Sequence, residues 1–562
     1  MLKTRLSTTK RLFSALALVV ATTFLSGCET QIDSPEKAAD KINELVTNTV
    51  VPSYRENQVR ANIQLTKTNL LSMLPELREY PVSLNARDDS QTEAVEIFTS
   101  SEKAGRGRDG FYLELAEAFN SQRNRISNGK QAKVAIRKIA SGLGAQFMLA
   151  KRYTPDAYSP SNFLWSKLLD ANGIRLETIA EVTAPNTAGI VVKKSKKDLI
   201  TTDGQLDIAK LLTSVSDGSF SMGYTNPYQS STGLNFLLLV LNSFAEGDET
   251  QMLSPDVASA FEAFQAGVPF VAQNTLQMRD AAQGSGVLDA LVMEHQSWVN
   301  VTGMNDYEFI PFGVRHDSPL YATPEADPDE REVLKLFAKF VQAQQSAVKN
   351  FGFGRQPDYE NAYQITDSSI IGQAQKVWKQ KKSGGRPIAA VFVADVSGSM
   401  EGTRIKNLKR AMIESSDLIS STNSIGLVTY SEQVNVDLAI RPFNVQQKAL
   451  FNGAVGRLRT GGKTATNDAV LVAAAQLLEY AKTNPDHKKV IFLLSDGETN
   501  RGVDFTEVEK ALEWSGIPIH SIAYELKSDH LKALAGLAEG AYIESSAGSA
   551  SYRIGNLLNS EM

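Results

Sequence analysis

Seven consecutive apolar residues, Ile388-Ala389-Ala390-Val391-Phe392-Val393-Ala394, run straight into Asp395-Val396-Ser397-Gly398-Ser399-Met400. Such a run offers water no polar face, so it predicts a strand buried on both sides, as in a parallel sheet with helices packed over each face. Open parallel α/β sheets place their ligands beyond the carboxyl ends of the strands. Here that end carries a carboxylate and two hydroxyls on alternate residues, and in an extended turn alternate residues converge on one point. Hard oxygens of this kind suit Mg²⁺, Mn²⁺ or Ca²⁺ and do not suit a soft metal. Gly398 lets the backbone come close.

Two further segments are placed to complete such a set. Thr460-Gly461-Gly462-Lys463-Thr464-Ala465-Thr466-Asn467-Asp468 opens a helical pattern, and Ser495-Asp496-Gly497-Glu498 closes the apolar strand Val490 to Leu494. They would add another hydroxyl and another carboxylate. Gly462-Lys463-Thr464 also ends like a phosphate-binding loop, but Arg457 stands where its first glycine belongs, and the loop follows a helix rather than a strand. That reading is set aside.

In order and context, these residues resemble the von Willebrand factor type A domain with its metal-ion-dependent adhesion site. The resemblance implies a doubly wound, mostly parallel, Rossmann-like domain over residues 387–562. It implies a divalent cation, Mg²⁺ first and Mn²⁺ or Ca²⁺ otherwise, held by Asp395, Ser397, Ser399, Thr464 and Asp496. It also implies a protein partner whose acidic side chain completes the coordination. One departure is Lys463, which stands between the glycines and the threonine, so that Thr466 is a rival for the threonine role.

At 562 residues the chain is too long for one core. Short apolar runs alternate with helical patterns over residues 93–350, as in parallel sheets with crossover helices: Val95 to Phe98, Ala132 to Ile139, Gly189 to Val192, Leu288 to Met293 and Phe309 to Phe312 as strands, Phe111 to Asn120 and Gly233 to Phe244 as helices. The order of elements, with phrases such as Thr99-Ser100-Ser101-Glu102-Lys103 and Gly223-Tyr224-Thr225-Asn226-Pro227, resembles the two-lobed periplasmic solute-binding protein fold. Its two crossovers are expected near Gly189 and Asp306. Ser100, Ser101, Ser141, Ser230, Ser231 and Thr232 fall where strands turn into helices. Hydroxyls and helix-start amides there are candidates to bind a small anion or another solute. Residues 351–386 have linker composition, and residues 28–92 read as a helical spacer, on the spacing of Ala38, Ile42 and Leu45, or as a linker.

The beginning of the chain reads as a targeting segment. Lys3, Arg5, Lys10 and Arg11 precede an apolar run, Leu12 to Phe24, too short to span a bilayer. It ends Leu25-Ser26-Gly27-Cys28, with the only cysteine of the chain. This resembles the lipobox of bacterial lipoproteins, which implies removal of residues 1–27 and lipidation of Cys28. Glu29 after the cysteine points to an outer-membrane anchor facing the periplasm. A chain with one cysteine forms no internal disulfide.

A net charge of −5 provides no footprint for nucleic acid. The five histidines show no metal-ligand spacing, and no Gly-x-Ser-x-Gly elbow is present. No catalytic residues are expected. The sequence points to a lipid-anchored envelope protein that binds a protein partner through a cation, with a receptor for a small anion or other solute, working with a membrane complex, as the alternative.

Overall fold

The structure is a computed structural model that describes residues 32–64, 68–86, 89–272, 277–279, 288–354, 356, 358–497, 499–538, 540–546 and 548–562. The targeting segment 1–27 and Cys28 lie outside the described residues. The architecture is mixed α/β with mostly parallel sheets.

In the C-terminal domain Ile388–Asp395 is buried along its whole length and pairs in parallel with Ser424–Tyr430 on one side and Lys488–Ser495 on the other. The sheet order is Ser53–Tyr54, Val434–Pro442, Ser424–Tyr430, Ile388–Asp395, Lys488–Ser495, Ile519–Tyr524, Tyr542–Ser545. Only the second and third of these strands run antiparallel to each other. The strand period of two explains the apolar run. Ala390 and Phe392 face a core shared with Leu408, Met412 and Phe451, while Val391 and Val393 face a second core with Val470, Leu477 and Val508. Burying Val391 or Phe392 contributes roughly 1.5–3 kcal/mol each.

Residues expected to form a spacer are built into this domain instead. Ser34 caps the helix Pro35–Leu45 by accepting from Lys37 N at 3.3 Å. Ala38, Ile42 and Leu45 share one face of that helix, and Ile42 and Leu45 join the core under the helices Thr466–Thr483 and Phe505–Ser515. Ser53–Tyr54 then adds to the sheet as a parallel edge strand. Arg55 N donates to Val436 O and Asn62 N to Ala449 O, both at 2.8 Å. A Cβ at Gly453 would meet Arg60 O at 1.7 Å, so this strap needs glycine beneath it. An amphipathic helix must cover its apolar face with something, and here this domain supplies the cover.

The central region has two sheets. One is ordered Val82–Leu84, Gln131–Lys138, Thr92–Thr99, Ala157–Ser159, Leu320–Ala322, Glu177–Ala180; the other Phe270–Ala272, Met222–Thr225, Ala290–Glu294, Thr187–Lys193, Tyr307–Arg315. The chain passes from the first lobe to the second between Ala180 and Thr187, near the expected place, and returns between Arg315 and Leu320. The return expected near Asp306 is therefore displaced by a full strand, because Tyr307–Arg315 pairs with Thr187–Lys193 and belongs to the second lobe.

The expected linker 351–386 is also corrected. It contains the helix Ser369–Lys381, whose Ile370, Ile371, Ala374 and Trp378 join the main core of the central region. Trp378 Nε1 donates to Tyr224 OH at 2.6 Å. From the other direction, Tyr552 of the C-terminal helix Ala550–Glu561 enters the same core. No described helix is long and apolar enough to cross a membrane.

Candidate metal centre

Asp395 ends the central strand with its side chain fully buried. Ser397 N donates to its Oδ1 at 2.8 Å, and Ser495 Oγ and Tyr430 OH donate to its Oδ2 at 2.6 and 3.4 Å. Both hydroxyl donors come from the ends of the neighbouring strands. Ser397 Oγ and Ser399 Oγ stand 3.0 Å apart.

The glycine loop closes onto this turn through the backbone. Gly398 N donates to Gly462 O at 3.0 Å, and Gly461 N donates to Val396 O at 2.9 Å. A Cβ at Gly398 would already sit 3.4 Å from Gly462 O, and Gly462 itself has φ +81°. The close approach and the left-handed backbone both call for glycine. Thr464 is buried, and Asn500 pins it by accepting from its N–H and donating to its carbonyl, each at 3.0 Å. Thr466 Oγ1 donates to Tyr430 OH at 3.4 Å, and that phenol is itself bonded to Asp395 Oδ2, so the loop presents two threonines, Thr464 and Thr466, to the site.

Asp496 directly follows the strand Lys488–Ser495 and is 1% exposed. Its Oδ2 accepts from Arg404 Nη1 at 3.2 Å, while its Oδ1 is buried without any partner. Burial pushes the Asp395 carboxyl above its ordinary range, and the Asp496 carboxylate adds to that push. Two buried carboxylates thus face one another's field with a single cationic neighbour, Arg404, on the outer oxygen of one of them. Arg404 is also held by Ser399 O and Glu525 Oε2, both at 3.0 Å.

This donor set fits a hard cation. Among the described residues no group of three or more His, Cys, Asp or Glu side chains could hold a metal. The candidate therefore consists of two carboxylates and three hydroxyls, a set that leaves positions for water or for an oxygen from outside. Sequence reasoning missed Arg404, Tyr430, Ser495 and Asn500. Ser495, immediately before Asp496, was the one with a local signal.

Residues 390–550 match the family of the von Willebrand factor type A domain. The C-terminal domain is a von Willebrand factor type A domain. An uncharacterized protein of Synechocystis sp. is 26% identical over 164 residues, covering 28% of this chain and 38% of its own length. Inter-alpha-trypsin inhibitor heavy chain H3 of Bos taurus is 29% identical over 123 residues, covering 21% of this chain and 14% of its own length. The chain thus spans well under two thirds of the length of these curated relatives. A periplasmic thiamin binding protein aligns over 53% of this chain and 99% of its own, with 12% identity and a TM-score of 0.39.

Between the two lobes and the von Willebrand factor A domain lies a cavity of about 1310 Å³, lined among others by Ser101, Arg106 and Gln229 from the lobes and by Lys532 and Arg553 from the A domain. Of the hydroxyls expected to bind a solute, Ser101 lines this cavity. Ser100 Oγ and Thr232 Oγ1 are buried without a partner. The other three hydroxyls hold bonds within the protein. Ser141 Oγ accepts from Ser161 N at 3.4 Å, Ser230 Oγ accepts from Thr225 Oγ1 at 2.9 Å and caps Gly233 N, and Ser231 Oγ accepts from Trp165 Nε1 at 2.8 Å.

Proposed function

We propose that this chain is a cell-envelope interaction protein that binds a protein partner through a divalent cation held by Asp395, Ser397, Ser399, Thr464 and Asp496, with Mg²⁺ the first candidate. Binding rather than turnover is the activity in view. The observation that carries the reading is the orphaned Asp496 Oδ1, buried beside the Asp395 carboxylate. Arg404 pairs with the other oxygen of this carboxylate, and a buried carboxylate oxygen left without a partner remains costly. The bound cation would supply a positive charge with open coordination positions. Ser495, Tyr430 and the Ser397 N–H orient Asp395, while Asn500 and the Gly398–Gly462 contact fix the threonine loop against it. A partner's carboxylate then meets a preorganised site.

Lipid anchoring through Cys28, on the periplasmic face of the outer membrane, completes the reading. It would hold the interaction site in the envelope. Thermal-shift titration with Mg²⁺, Mn²⁺ and Ca²⁺ tests the metal site, because a ligand that binds only the folded state raises its stability. Asp395→Ala is expected to abolish the shift, and an unchanged shift in that variant sinks the proposal.

A second reading, a receptor for a small anion or other solute, is supported by the unpartnered Ser100 and Thr232 hydroxyls and by the 1310 Å³ cavity. Its test is the same titration against a panel of oxyanions and amino acids. A solute shift that survives Asp395→Ala would favour it.

A further inference from the structure

Beside the metal loop lies a second pocket, of about 430 Å³, walled by the N-terminal strap on one side and by the A domain on the other. It reaches Val396, Gly461 and Gly462, the same backbone that knits the two metal loops together. Three guanidinium side chains, Arg55, Arg457 and Arg459, line it together with two acids, Asp437 and Glu432. The strap wall is built rather than loose. Arg55 N is bonded to Val436 O, Ser53 pairs with Asn435, and Arg457 Nη1 donates to Gln58 O.

The charges here are matched only in part. Asp437 feels both Arg55 and Arg457, whereas Arg459 lies close enough to Lys409 for the two like charges to disfavour each other. Three guanidinium groups against two carboxylates leave the pocket with one net positive charge, in a chain whose net charge is −5. Asn435, 5% exposed, stands on the same wall beside Ser53.

We propose that this pocket receives a second acidic side chain of the docking partner, so that the partner segment is an acidic peptide with carboxylates on both sides of the glycine loop. One carboxylate goes to the cation and the next to Arg55 and Arg459. This deepens the cation-dependent reading and rests on it for the place of the first carboxylate.

The test is fluorescence anisotropy of a fluorescein-labelled hexaglutamate peptide titrated with the full chain, in Mg²⁺ and in EDTA. Wild type, Arg55→Gln/Arg459→Gln and Asp395→Ala are compared. Both arginines are exposed, and circular dichroism melts check that the double variant folds. Binding in Mg²⁺ is expected to weaken about tenfold in the double variant, and the difference should shrink at about 0.5 M salt. If the double variant binds like wild type while Asp395→Ala does not bind, the pocket is wrong and the cation reading stands. If Asp395→Ala binds normally and the double variant does not, the pocket stands and the cation reading falls. Absence of peptide binding by wild type overturns the pocket, as does arginine-dependent binding to phosphatidylglycerol vesicles in place of the peptide.

Discussion

The phenol of Tyr552 donates a hydrogen bond to Gln146 Oε1 at 2.8 Å, joining residues 406 positions apart. The phenol oxygen of Tyr552 in turn accepts from Gln229 Nε2 at 2.8 Å. Gln146 lies on a helix of the first lobe and Gln229 just before a helix of the second. One side chain of the A domain therefore holds both lobes. Tyr552→Phe leaves two buried amide groups short of a partner, at a cost of about 1–3 kcal/mol. Scanning calorimetry should show a lower Tm, with the central region and the A domain beginning to melt separately. An unchanged single transition would mean that this contact does not couple the domains.

Arg404 holds one oxygen of Asp496 and would compete there with the proposed cation. Its guanidinium sits 3.2 Å from Asp496 Oδ2 and 3.0 Å from Glu525 Oε2, and is 27% exposed. Arg404→Gln removes the positive charge nearest the site. Mg²⁺ affinity measured by isothermal titration should rise about three- to tenfold, since the displaced guanidinium is partly solvated and its ion pair contributes about a kcal/mol. A fall in affinity would show instead that Arg404 shapes the site.

Lys103 carries the clearest pH signature. It is buried beneath the first lobe, with Nζ donating to Ser159 O at 2.6 Å and to Pro160 O at 3.0 Å. Burial lowers its pKa from 10.5 to about 7, against the opposing pull of Glu294 and Glu102. Below about pH 7 both folded and unfolded chains carry the proton, and the full cost of burying the charge remains. As pH rises from 7 towards 10.5 the folded protein sheds it first, so stability increases over that window. Urea unfolding at several pH values should show wild type gaining on Lys103→Met by up to about 1.4 kcal/mol per pH unit. Parallel curves for the two proteins would refute this assignment.

The helix Ser369–Lys381 distinguishes a structural element from a tether. Trp378 is fully buried in the central core. Trp378→Ala should cost about 3–5 kcal/mol in chemical denaturation, whereas the same change in a solvated linker would stay within about 0.5 kcal/mol.

The parts of this molecule that were legible in the sequence are those whose physics is local. The apolar run Ile388 to Ala394 needs two covered faces wherever it occurs, and Asp395, Ser397 and Ser399 mark a turn rich in hard oxygens, although a 3-10 turn at Gly398–Met400, not an extended one, brings the two serine hydroxyls together. Asp496 was legible for the same reason, as the first polar carboxylate after another buried strand. Arg404 and Asn500 were not, because their roles exist only once separate loops meet. Ala38, Ile42 and Leu45 announce an apolar helix face without naming what lies over it. Phe309 to Phe312 reads equally well as a strand of either lobe, and only its pairing with Thr187–Lys193 settles where the chain turns back. A serine after a strand looks the same whether it caps a helix, like Ser230, or keeps its hydroxyl unpartnered, like Ser100.

The strap also fixes an order of assembly. The edge strand Ser53–Tyr54 pairs with Val434–Pro442, and Ile42 waits for helices near the opposite end of the chain. During synthesis residues 35–62 emerge long before the surfaces that cover them, and contacts so distant in sequence form slowly. The two lobes can complete their sheets in the interval. The A domain can close only when its C-terminal strands are made, so a chaperone that shields residues 35–62 until then would act on the step that brings the Asp395 and Asp496 loops together.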